Sequence, residues 1–250
     1  MPIPTAEDIF GQGASSAHKA AATRFVALVT LTQVLSHCLE HVYHLGAGVT
    51  SRQETYLDLD NLLVIWEDSL PEDLRRPIIR GRTLSGQGTA NLRLAYLSVK
   101  LLVCRIQLDW DRGSSKDDLN SHHCIHARRV CEEMVDFVQE LDETRLGEFW
   151  MPPHAHTLTS ATTFLMRIAL RSRGSALNPS LKLARTMIDT LQSYRDQYDW
   201  DMADHCLSNC SDLIEKIEYA CNTTNTSPAE LDFAFLEDID FTGLENLFEY

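Results

Sequence analysis

An all-α fold is what this 250-residue sequence predicts, and three observations carry that expectation. Apolar residues recur at spacings of three and four along successive segments, as the buried face of a helix requires. No run alternates apolar and polar residues between turn signals, so no sheet is expected. Glycine and proline sit at the junctions between segments, where helices stop.

The first helix spans about Ala20 to Leu45, with Leu28, Leu31, Leu35, Cys38, Leu39 and Val42 on one stripe. Gly46 and Gly48 end it. The second runs from about Leu57 to Leu70 and buries Leu59, Leu62, Leu63 and Trp66; Pro71 stops or turns it. A Gly/Ser-rich turn from Gly81 to Gly88 precedes a third helix with Leu92, Ala95, Tyr96, Val99, Leu102, Val103 and Ile106 inside. The loop Asp111–Asp118 leads to a fourth, built on Ala127, Val130, Cys131, Met134, Val138 and Leu141. Trp150 to Pro153 is a rigid break before a fifth, carrying Leu158, Ala161, Leu165 and Ile168. Asn178-Pro179 opens the sixth, with Leu181, Ala184, Ile188 and Leu191. The seventh holds Met202, Cys206, Cys210, Leu213 and Ile217. The expected organisation is a flexible stretch at 1–19, a helical body of about seven helices at 20–221, and a linker with a disordered acidic tail at 222–250.

A chain this long buries roughly 70–75% of its unfolded surface, enough for one large core. Thirty-six acids against 22 bases argue against broad contact with a nucleic-acid backbone, which needs clustered cations. Seven cysteines, mostly inside apolar helical patterns, read as reduced core thiols of an intracellular protein. The start, MPIPTAEDIF, lacks the basic and apolar regions of a signal peptide. The uninterrupted apolar runs are far shorter than the ~20 residues that span a bilayer, so no membrane partner is expected.

Chemistry-bearing clusters are few. His37, His41 and His44 share a helical face flanking Cys38, but that face points away from the leucine stripe and toward solvent. His122, His123, Cys124 and His126 follow a loop, and Cys206 and Cys210 lie one turn apart on an apolar face. No matching second ligand group accompanies any of them, so no metal site is expected. Asp117-Asp118 tests for a diphosphate-binding pair, yet the sequence reads DDLNS in a loop, and Asn209 and Asp212 lack the companion Ser and Glu spacing. No phosphate loop or nucleophile elbow is present. No catalytic residue is assigned, and the chain is expected not to be an enzyme.

The segment from Ser227 to Tyr250 stands apart. It holds seven carboxylates and no Lys, Arg or His, half of the net charge of −14 in under a tenth of the length. Between the acids sit Leu231, Phe233, Phe235, Leu236, Ile239, Phe241, Leu244, Leu247, Phe248 and Tyr250. Alternating acids and bulky apolar groups is the composition of an activation segment, with the repelling acids keeping the anchors open to a partner's groove. Ser227-Pro-Ala-Glu230 and Thr242-Gly-Leu-Glu245 are capping signals that start two latent helices. The expected partner is a coactivator or mediator-type protein that folds them on binding.

Residues of the body carry a family resemblance. Leu63-x-x-Trp66-x-x-x-Leu70-Pro71-x-x-Leu74 is similar to the signature of the fungus-specific regulatory domain (middle homology region) of zinc-cluster transcription factors. Arg24 to Leu35 with Leu39 and Tyr43 resembles that domain's preceding helix; Leu92, Tyr96, Leu101, Leu102 and Arg105 resemble the following one. The resemblance covers roughly Ala20 to Ala220. It implies a nuclear protein, read here as a regulator of RNA polymerase II genes; a small-molecule effector and a dimer are separate partner expectations. It also implies DNA contact through a six-cysteine zinc cluster, and zinc only there. No Cys-x-x-Cys-x6-Cys occurs in this chain, which therefore reads as the C-terminal part of such a factor, or a truncated relative, reaching DNA only indirectly. The alternative expectation is a helical small-molecule-binding or scaffold module with an inert tail.

Overall fold

The computed structural model describes residues 8–9, 15–43, 52–81, 84, 86–112, 122–171 and 178–223. Every regular element among them is helical: α1 (Ser16–Val42), α2 (Arg52–Ser69), α3 (Glu72–Ile79), α4 (Thr89–Arg112), α5 (His122–Gln139), α6 (Glu143–Leu146), α7 (Pro153–Arg171), α8 (Pro179–Tyr198), a 3₁₀ turn (Asp201–Ala203) and α9 (Asp204–Thr223). The all-α expectation holds for these residues, with nine described α-helices where about seven were expected. The two added elements, α3 and α6, are short. Pro71 does more than stop α2, because it stands at the N-cap of α3 with extended backbone.

α4 is the central helix. Its residues 89–94 are all buried, and it packs against α1, α2, α3, α5 and α7. The remaining helices, α8 and α9, close the far side against α5 and α7. Caps fix the ends: Ser15 accepts from the His18 amide before α1, and Asn178 accepts from the Ser180 amide at 2.9 Å, with Pro179 at the first turn of α8.

Three polar ties set the helix register. The Trp66 indole donates to the Ala27 carbonyl at 3.1 Å and to Thr30 Oγ1 at 3.0 Å, joining α2 to α1. Tyr96 lies inside the core, 1% exposed. Its ring stacks on Trp66 at 5.7 Å, and its hydroxyl donates to Glu67 Oε1 at 2.7 Å. That acceptor removes the usual penalty of burying a phenol. Asn91 holds the loop before α7, donating to the Phe149 carbonyl and accepting from the Met151 amide. Gly81 needs its missing side chain: φ is +65°, and a Cβ would stand 2.6 Å from the buried Arg93 guanidinium.

By length and composition alone, α1 is long and apolar enough to cross a bilayer, a property its short uninterrupted apolar runs did not reveal. Here its Ala22, Ala27, Leu31, Val34 and Cys38 are buried in the interface with α2 and α4.

Candidate functional site

The helix faces already described leave a cleft of about 340 Å³ between α1, α4 and the start of α7. Each helix contributes one stripe. α1 presents Leu28, Leu31 and Leu35; α4 presents Ala95, Ser98, Leu102 and Arg105; α7 presents Pro153, His156 and Ser160. All three follow helical spacing, so each stripe occupies a single face. Val99, Leu101 and Met151 complete the apolar wall.

The polar groups cluster toward Arg105 and α7. The Arg105 guanidinium donates to Ser160 Oγ at 2.8 Å, and Ser98 Oγ lies 2.9 Å from Thr157 Oγ1. Among the described residues Arg105 forms no ion pair, and none that lines the cleft is an Asp or Glu. His154 is 3% exposed, with a hydrogen bond to the Asn91 backbone; its Nε2 has no partner among the described residues. Burial brings its pKa down to about 4, so the ring is neutral near pH 7. On the outer edge His156 meets His205 edge-on at 4.3 Å, and burial, then His156, lowers the His205 pKa. A second hollow of about 630 Å³ shares Leu28 and Met151 and extends to Arg24 and the exposed Phe149.

The signature residues divide between core and cleft. Leu63, Trp66, Leu70, Leu74, Leu92 and Tyr96 are buried packing residues, and Pro71 is an exposed cap. Leu101, Leu102 and Arg105 line the cleft. The sequence marked Arg105 only as part of a resemblance. The signal for more was its position one turn beyond Leu101 and Leu102, a cation in line with an apolar face. His154 and His156 went unremarked, since a proline-led helix start hides which histidine turns inward.

The other clusters resolve into packing or surface. His37 is exposed beside Glu40 at 3.6 Å, whereas the neighbouring Cys38 is fully buried; His44 lies outside the described residues. His122 to His126 form the first turns of α5 rather than the end of a loop, and His126 Nδ1 rests 3.5 Å from Cys104 Sγ. Cys206 and Cys210 are both fully buried; the bond shared with Cys206, and then burial, pushes the Cys210 thiol up. Burial pushes Cys38 and Cys104 up to about 12, so these thiols stay protonated. Asn209 is exposed and donates to the His205 carbonyl. Asp117, Asp118 and all the proposed anchors, Leu231, Phe233, Phe235, Leu236, Ile239, Phe241, Leu244, Leu247 and Phe248, lie outside the described residues. Among the described residues no three His, Cys, Asp or Glu side chains converge as metal ligands. No protein-family model, curated protein or solved structure matches this chain.

Proposed function

We propose that the chain is a transcription regulator, an activator of RNA polymerase II genes in a fungal nucleus, acting through its helical body and its acidic C-terminal segment. One observation carries the reading: residues 227–250 combine seven carboxylates, no cation and ten large apolar groups. Repulsion among the acids disfavours collapse of that segment, and the aromatics supply the anchors a coactivator groove takes up. An all-α body with the Leu63–Leu74 pattern is consistent with the zinc-cluster regulatory domain it resembles. In that family DNA contact and zinc belong to a separate six-cysteine module. No catalytic step is assigned to this chain.

Fusion of residues 227–250 to an unrelated DNA-binding domain tests the reading. The expected outcome is reporter expression well above background, lost when Phe233, Phe235, Phe241 and Phe248 are changed to Ala. Background expression from the intact segment would sink it. A second reading, a helical module that binds a small molecule and carries an inert tail, is favoured by the cleft between α1, α4 and α7. It predicts a silent fusion alongside a body whose melting temperature rises with ligand.

A further inference from the structure

We propose that the cleft between α1, α4 and α7 binds a small amphipathic carboxylate, with its apolar body against Leu31, Leu35, Val99 and Leu102 and its carboxylate on Arg105. The inference rests on the cleft alone and does not depend on what the tail does.

Size comes first. About 340 Å³ lies at the lower end of the ~300–1,000 Å³ typical of small-molecule pockets, which sets the scale at one compact ligand. The wall chemistry comes second. Leucine, valine, alanine and methionine dominate the lining, so most of the occupant must be apolar to gain from leaving water.

Charge decides the remainder. The chain carries a net charge of −14, yet among the described residues no acid faces this cleft. Arg105, the one permanent cation among the described lining residues, is half-buried and satisfied there by one neutral hydroxyl. A guanidinium presents five N–H donors, so most of its capacity is left over, without an anionic partner among the described residues. A carboxylate matches its forked geometry, and the surrounding apolar wall strengthens the attraction by lowering the local dielectric. One cation favours a single-charged head over a dianion. His154 adds no competing charge, because its ring is neutral near pH 7. An ammonium head would meet Arg105 with like charge and is rejected.

Decanoate, decanol and decylamine serve as probes, sharing one alkyl chain and differing in the head. Calorimetric titration into the full 250-residue chain is expected to show one decanoate per chain, bound at least tenfold more tightly than decanol, with decylamine not taken up. Arg105→Met should weaken decanoate tenfold or more, bringing it level with decanol, while Arg105→Lys restores part of the preference. Ala95→Phe, which fills the cleft from α4, should abolish uptake of both. The acid-to-alcohol ratio is read within each variant, so a general loss of stability does not mimic the result. Equal affinity for acid and alcohol in the wild-type chain, or an Arg105→Met chain with an unchanged ratio, overturns the proposal. So does a wild-type chain that takes up none of the probes. The reporter fusion can fail with acid binding intact, and the reverse, so the two readings fail separately.

Discussion

His154 is where a single side chain changes the behaviour of the protein. Its folded pKa is about 4, whereas an unstructured histidine titrates near 6.5. Above the unfolded value both states are neutral and stability does not depend on this group. As pH falls below it, the unfolded chain takes up the proton first. Stability is therefore lost through the window from about 6.5 down to about 4, and levels off below, with a total on the order of 3 kcal/mol. Urea melts at about pH 7 and about pH 4.5 should show a markedly smaller drop for His154→Gln. A residual slope is expected in the variant, since burial also lowers the pKa of His126 and His205. Equal drops in the two proteins would remove His154 as the cause. Trp66 gives a second test. Trp66→Phe keeps an aromatic ring against Tyr96 but deletes the donor shared by Ala27 and Thr30, at a cost of about 2 kcal/mol in denaturant melts. Thr30→Val removes one of the two acceptors and leaves the Ala27 carbonyl in place, so it should cost under about 1 kcal/mol.

The helix α8 shows how far an element is specified locally. Asn178 caps it, Pro179 presets its first turn, and Asp199 ends it in the left-handed region at φ 54°. Asn178→Ala should destabilise the body by about 1–2 kcal/mol, and Asn178→Asp, which keeps the acceptor, by less; chemical denaturation measures both. A change within error for Asn178→Ala would mean that tertiary packing alone sets the start of α8. The same local signals made the seven long helices legible in the sequence, because each holds at least three turns of apolar spacing. α3 escaped notice for physical reasons. It has eight residues, contains Pro77, and buries Leu74, Pro77 and Ile78, which is too short a stripe to establish a period. α6 is a single capped turn, with Asp142 accepting from the Arg145 amide. The hydroxyl contact of Tyr96 was illegible for another reason: its acceptor Glu67 belongs to a different helix, 29 positions away.

At the scale of the whole molecule, the body is one continuous core that shelters its thiols. Among the described residues Cys38, Cys104, Cys124, Cys131, Cys206 and Cys210 are all buried. A native chain should therefore release at most one equivalent of chromophore from a thiol-reactive disulfide reagent, and seven after unfolding in urea. Rapid reaction of several native thiols would contradict the packing of α4, α5 and α9. The cleft was half legible at this scale. Spacing put Leu28, Leu31 and Leu35 on one face, and Ala95, Val99 and Leu102 on another, but nothing in either segment says that the two faces oppose each other. That pairing arises from Trp66 and Asn91, which dock α2 and the Met151 loop around α4. A further consequence follows from the two indoles that meet edge-on at 5.5 Å, Trp150 from the segment ahead of α7 and Trp200 from the turn after α8. Chromophores this close share their excited states, so the pair reports its own geometry in the circular dichroism of the aromatic bands. If α8 and α9 lift away from the rest, that optical signature vanishes while the helical amide signal persists. The protein thus carries a built-in gauge that separates opening of one half from loss of the entire fold.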